Sequence, residues 1–142
     1  MGMNVKISGT GKYLPQRRIS ADELDQKLGL DAGTVERKSG VSFRHFADGE
    51  TNADMGAKAA RDAMDAAGVT LRDIDVIIGA GGTYQQAIPC TAALIKEALG
   101  DQRSSTPAFD VNSTCLGFVT ALDMVSCALD VGRYERALIV CS

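Results

Sequence analysis

Histidine occurs once in the 142 residues, at His45, and no two cysteines stand in a C-x-x-C pair, although there are four of them (Cys90, Cys115, Cys127 and Cys141). A structural zinc site of the usual spacing is therefore not expected, and no metal is expected at all. No apolar run approaches the roughly 18 residues needed to span a bilayer, so no membrane partner is expected. Nor is there a block of five or six like charges. With 15 Lys and Arg against 18 Asp and Glu the formal charge is −3, which argues against nucleic acid as a partner. The opening MGMNVKISGTGKYLP has no apolar signal core, and Lys6 breaks the myristoylation pattern. A cytoplasmic location follows as the default, with reduced thiols in place of a disulfide scaffold.

What is present is the composition of an ordinary globular domain, 45 % hydrophobic and 23 % charged. Val5 to Thr10 reads as a first strand, ending at a Gly9-Thr10-Gly11 turn and closed by Pro15. Ser20 and Glu23 have capping-box spacing, which predicts a helix from Ala21 to about Leu28. Residues 29 to 52 read as loop with one short strand or turn near Val41 to Phe46. A second helix is expected from Asn52, with Met55, Ala59, Ala63 and Ala67 at helical spacing and Gly68 just past its end. Ile74 to Ala80 reads as a strand covered on both faces. Pro89 suits the first turn of a third helix reaching Leu99, with Gly100 as its stop. Pro107 to Val111 is a further strand. Leu116 to about Val131 is a helix with Val119, Leu122, Val125 and Leu129 on one face, and Ala137 to Cys141 is a final buried strand. Strands alternating with helices imply an α/β layered fold with a mostly parallel central sheet flanked by helices. A buried-type strand with only Ser142 behind it predicts that further sequence follows.

The chemically informative stretch is FDVNSTCLGFVTAL, residues 109 to 122. A strand runs into the polar turn Asn112-Ser113-Thr114, and Cys115 then stands at the start of an apolar-faced helix. Unpaired N–H groups and the positive dipole end meet at such a terminus. A thiol there has its nucleophilic thiolate favoured, and the same N–H groups suit an oxyanion formed by attack on a thioester. Gly117, one turn on, would let another backbone or a ligand come close. Free cysteines are commonly small packed hydrophobes, which is the expectation for Cys90, Cys127 and Cys141. Met55, Met64 and Met124 read as core filler on the same ground. Gly79-Ala80-Gly81-Gly82 follows a strand, but Tyr84 stands where a dinucleotide fingerprint needs its third glycine. Arg17, Arg18, Arg37 and Lys38 are candidates for meeting phosphates or an acidic partner, against the plainer reading of solvated surface charge.

The segments GTGKYLP (9–15), RKSGVSFRH (37–45), AMDAAG (63–68), AIPCTAALIKEALG (87–100) and PAFDVNSTCLGF (107–118) occur in that order. Together they resemble the N-terminal half of β-ketoacyl-acyl-carrier-protein synthase III, among the thiolase-like condensing enzymes. The resemblance covers nearly the whole chain. Its most specific element is F-D-x-x-x-x-C-x-G-F, carried by Phe109, Asp110, Cys115, Gly117 and Phe118. It implies a thiolase-like layered fold, with residues 1–142 as the N-terminal half of a condensing domain whose C-terminal half is absent from this sequence. It implies an acyltransferase in which Cys115 takes an acyl group from an acyl-CoA or acyl-carrier-protein thioester. The acyl-enzyme then condenses with a malonyl thioester in fatty acid or polyketide synthesis. No cofactor beyond these thioester substrates is implied, and a homodimer is.

Departures from the family pattern bear on the substrate. Thr34 occupies the position where enzymes using short acyl-CoA primers typically carry a coenzyme-stacking tryptophan, which removes an aromatic face. Lys38 replaces a common arginine, keeping the charge but not the bidentate fork. Ile88 matches the position that crosses the dimer interface to close the partner's acyl pocket; being smaller than Phe, it would permit a longer or branched primer. Leu116 stands where a small residue is commoner. The family's catalytic His and Asn belong to the half that is absent, and His45 matches a loop position with no claim to their role. The alternative reading is a non-catalytic fragment that binds acyl groups or carrier protein, or a subunit completed by another chain.

Overall fold

The computed structural model describes residues 5–102 and 104–142. They form two compact units, one of residues 5–13 with Thr51–Ser142 and the other Leu14–Glu50.

In the smaller unit, β1 (Arg17–Ser20) leads directly into α1 (Ala21–Leu28). The Ser20 hydroxyl accepts from the Glu23 N–H at 3.1 Å, so the capping signal starts the helix where expected. A second helix, α2 (Thr34–Ser39), replaces part of the expected loop. Its cause lies outside its own short sequence: Asp25 of α1, 1 % exposed, accepts the Val35 N–H at 2.9 Å and so serves the helix start. The strand expected near residues 41–46 is β2 (Phe43–Phe46), antiparallel to β1 with Arg18 opposite His45.

In the larger unit, α3 (Asn52–Ala67) begins at a full capping box between Thr51 and Asp54 and ends at Gly68 in the left-handed conformation. The strands β3 (Val76–Gly79), β4 (Ala108–Asp110) and β5 (Ala137–Val140) form a parallel sheet in the order β4-β3-β5. Helices α4 (Thr91–Ala98) and α5 (Gly117–Asp130) are the crossovers that parallel neighbours require. Val76, Ile77 and Ile78 are at most 1 % exposed, so β3 is covered on both faces. One face meets Ala60, Met64, Ala92 and Ile95; the other meets Ala121 and Val125. This is the α/β layering, with its mostly parallel sheet, that the sequence pattern predicts.

Three expectations are corrected. Residues 5–10 are not a strand: among the described residues β5 pairs with β3 alone. The chain instead lies against α3, where Gly9 has the Ala63 carbonyl oxygen in the place a β-carbon would take. Gly9 and Gly11 thus serve close approach to a helix instead of a turn. Pro89 stands before the third helix, not within its first turn, because Cys90 is the N-cap. On α5 the buried stripe is Gly117, Ala121 and Val125, with Ser126 beside it; Val119 and Met124 are exposed, so neither fills the core.

Candidate active site

The strand β4 ends at Asp110, and Val111 continues the ladder by donating its N–H to the Gly79 carbonyl at 2.7 Å. The chain then turns. The Asn112 side-chain oxygen accepts the Thr114 N–H at 3.0 Å, and Thr114 takes a positive φ of 50°. A β-branched residue adopts that conformation only where its surroundings impose it, at a cost on the order of 1–3 kcal/mol. One 3₁₀ turn, Thr114–Leu116, carries Cys115 into α5.

Cys115 is exposed at this mouth. Leu116 donates to the Ser113 carbonyl at 3.0 Å, and the Thr114 N–H is taken by Asn112. Among the described residues, no backbone acceptor takes the Cys115 N–H. The Cys115 thiol, and an N–H on the same residue that no backbone acceptor takes, therefore stand in an exposed turn that leads into a 14-residue helix. Such a set suits attack on a thioester and stabilisation of the resulting oxyanion.

Glycine-rich chain from the end of β3 shapes the other side of the turn. A β-carbon on Gly117 would stand 2.8 Å from the Ala80 carbonyl oxygen, and one on Gly82 would lie 3.5 Å from the Thr114 α-carbon. The close approach expected at Gly117 is thus to backbone of this same chain. Within the Gly79-Ala80-Gly81-Gly82 run, Gly79 leaves room for the Asp110 carboxylate and Gly81 for the Ser142 carbonyl.

The remaining cysteines depart from the packed expectation. Cys90 is half-buried, but Cys127 and Cys141 are exposed. Cys127 lies toward the uncovered side of α5 with Met124, and Cys141 lies just past the end of β5. Partial desolvation pushes the Cys141 thiol above its usual pKa.

Ile88 is 87 % exposed in the loop leading to α4, where the Gln86 side-chain amide donates to its carbonyl at 2.8 Å. The same loop is held by Gln85, whose side-chain oxygen accepts the Ala53 N–H at 3.2 Å at the start of α3. Thr34 and Lys38 belong to the smaller unit. Thr34 is 7 % exposed and its hydroxyl accepts from the Arg37 guanidinium at 3.2 Å, so it presents no open face; Lys38 is exposed. His45 lies on β2 and not in a loop, and its Nδ1–H donates to the Pro15 carbonyl at 2.5 Å.

Sequence reasoning missed the work of Asp110. Its carboxylate accepts the N–H groups of Thr91 at 2.8 Å and Ala92 at 2.7 Å, capping α4 from a neighbouring strand. A cap 18 positions away from its helix leaves no local spacing signal to find.

Residues 109–142 match the family model for 3-oxoacyl-[acyl-carrier-protein (ACP)] synthase III. The β-ketoacyl-[acyl-carrier-protein] synthase III of Neisseria meningitidis serogroup A is 40 % identical over 136 residues, covering 95 % of this chain and 42 % of the relative. That of Hyphomonas neptunium is 36 % identical over 141 residues, covering 99 % and 43 %. Among solved structures, 3-oxoacyl-[acyl-carrier-protein] synthase III from Aquifex aeolicus superposes with a TM-score of 0.86 at 29 % identity, covering 96 % of this chain and 44 % of that one. The priming β-ketosynthase of the R1128 polyketide pathway gives 0.87 at 27 % identity, over 96 % and 41 %. The chain spans less than half the length of these relatives.

Proposed function

We propose that the chain forms the cysteine-bearing part of a condensing acyltransferase, a reading supported by its similarity to 3-oxoacyl-ACP synthase III proteins over nearly its whole length. The Cys115 thiolate attacks the carbonyl of an acyl thioester of coenzyme A or a carrier protein. The new Sγ–C bond replaces the donor's C–S bond, and the donor thiol leaves with a proton. A malonyl thioester then loses carbon dioxide, and its carbanion attacks the acyl-enzyme carbonyl. The carbon–carbon bond forms as the Cys115 thiolate departs with a 3-oxoacyl thioester as product.

The observation that carries this reading is the open Cys115 with its own unengaged N–H at the start of α5. One oxyanion donor of this kind contributes about 3 kcal/mol where it has been removed in other enzymes. The later carbanion and carbonyl steps need polar donors that the family resemblance assigns outside residues 1–142. Uncovered apolar side chains on α5 (Phe118, Val119 and Met124) support reading these residues as the N-terminal half of a layered condensing fold. Lys38, exposed, is the cation of the smaller unit that we assign to the coenzyme or carrier phosphate, and Ile88 the residue that closes an acyl pocket across a homodimer. Thr34 is left without a contact role.

The test is intact-mass detection of the acyl adduct on the natural full-length polypeptide. The expected result is one acyl group on the wild type and none on Cys115→Ala. A persistent adduct on the variant, or none on the wild type with any thioester supplied, overturns the assignment.

A further inference from the structure

Asp110 sits at the junction of two segments that the proposed chemistry uses separately. On its C-terminal side, four residues, 111–114, lead through the strained turn to Cys115. Through its carboxylate it reaches the other segment, where Thr91 and Ala92 begin α4 immediately after Ile88, Pro89 and Cys90. Two charge-assisted bonds of 2.7–2.8 Å to adjacent amides form a bidentate clamp on a helix start.

The clamp has a reserved place in the sheet. Asp110 pairs in register with Gly79, and a β-carbon on Gly79 would collide with the carboxylate oxygen Oδ1. Gly79 also accepts the Val111 N–H, so the last rungs of β3 and β4 hold the carboxylate from below. The loop that leaves β3 after Gly79 passes the Cys115 turn at Ala80 and Gly82, is fastened to α3 by Gln85, and returns to the clamp after Ile88. One end of the loop is therefore bonded to the Asp110 carboxylate, while the other, Gly79, pairs in register with Asp110 through the backbone.

We infer that Asp110 is a positioning residue for acyl-chain selection: it fixes the Ile88 end of this loop, and thereby how Ile88 closes the acyl pocket across the homodimer. The inference rests on the reading of Cys115 and Ile88 given above. Asn at this position keeps one acceptor but loses the charge and turns an N–H toward donors, so the clamp loosens while β4 remains paired.

The experiment compares full-length wild type, Asp110→Asn and Asp110→Ala by three readouts. These are amide exchange across residues 81–92, the iodoacetamide labelling rate of Cys115, and kcat/KM for acyl-enzyme formation over a series of straight-chain acyl-CoA thioesters. For Asp110→Asn, which should keep a cooperative melt even if Asp110→Ala does not fold, exchange at Thr91 and Ala92 rises. Cys115 labelling stays within about twofold, and the ratio of kcat/KM between the best primer and its longer neighbours falls by at least about threefold. Faster exchange with an unchanged chain-length profile, or an equal loss for every chain length, overturns the inference and leaves Asp110 a structural cap. A wild type that is never acylated overturns the functional reading as well, and the exchange arm, which needs no thioester, separates that case.

Discussion

Gly117 meets Ala80 so closely that a β-carbon on the glycine would stand 2.8 Å from the alanine carbonyl oxygen. The start of α5 is thereby seated on the end of the central strand β3, and the Cys115 turn with it. Helix and strand cannot part here without exposing Ala121 and Val125, which are buried against Val76 and Ile78. The glycine is thus part of how the fold delivers a cysteine to the surface at a defined point.

Gly117→Ala should therefore destabilise the protein by about 1–3 kcal/mol, the usual cost of overpacking a close contact. Chemical denaturation measures it as a lower midpoint with an unchanged slope. Alanine is otherwise the better helix former, so a midpoint at or above that of the wild type would show that the contact is slack.

Exposure alone does not distinguish Cys115 from Cys127, since both are open to solvent. Their surroundings do: one lies at the mouth of α5 and the other in its last turns, where the dipole has the opposite sign. Native iodoacetamide labelling followed by peptide mass mapping should modify Cys115 about tenfold faster than Cys127, with Cys90 slower still. For Cys141, desolvation raises the pKa, so fewer molecules carry the thiolate at neutral pH. Its labelling should rise at a more alkaline pH than that of an ordinary free thiol. Equal rates for Cys115 and Cys127 at neutral pH would remove the case for a primed nucleophile.

The start of α3 supplies an acid-dependent contribution. The Thr51 side-chain hydrogen bond, then the Thr51 backbone bond, hold the Asp54 carboxyl below its ordinary pKa. Asp73 is lowered by the Thr70 backbone bond and then its hydroxyl. A folded pKa depressed below the unfolded value of about 3.9 means that the stabilisation is fully present above that pH. It is lost as pH falls through the lower folded value. The difference in melting temperature between wild type and Asp54→Asn should be widest near neutrality and close in strong acid. A gap independent of pH would place the effect in packing instead of charge.

How much of this was legible beforehand follows the range of the interactions. Ser20 with Glu23, Gly68, and the β-branched Val76-Ile77-Ile78 carry their signals within a few residues, and the corresponding elements appear where expected. Cys115 was marked by its strand-turn-helix setting for the same reason. The helix α2 was not legible, because its start is served by Asp25 from ten residues away. Nor was the path of residues 5–11, which depends on the Ala63 backbone more than 50 positions later. Asp110 stood inside the most recognisable motif, yet its partners Thr91 and Ala92 lie on another element. On α5, apolar residues surround much of the helix, so periodicity marked Val119 as buried when the sheet takes the Gly117, Ala121 and Val125 side.

Ile88 gives the most direct handle on the substrate. An aliphatic side chain that is 87 % exposed contributes nothing to packing within this chain, so its replacement should leave folding almost unchanged. If it closes the acyl pocket across a dimer, the volume of that side chain sets the length of primer that fits. Phenylalanine is larger, and each methylene kept out of the pocket forfeits about 0.8 kcal/mol of transfer free energy, roughly a fourfold loss in kcat/KM per carbon. Ile88→Phe should therefore shorten the preferred acyl chain, and Ile88→Ala should lengthen it, when acyl-enzyme formation is measured across a series of thioesters. Both variants should keep a cooperative melt, because Ile88 is not packed within its own chain. A chain-length profile that moves with neither substitution would remove Ile88 from the pocket.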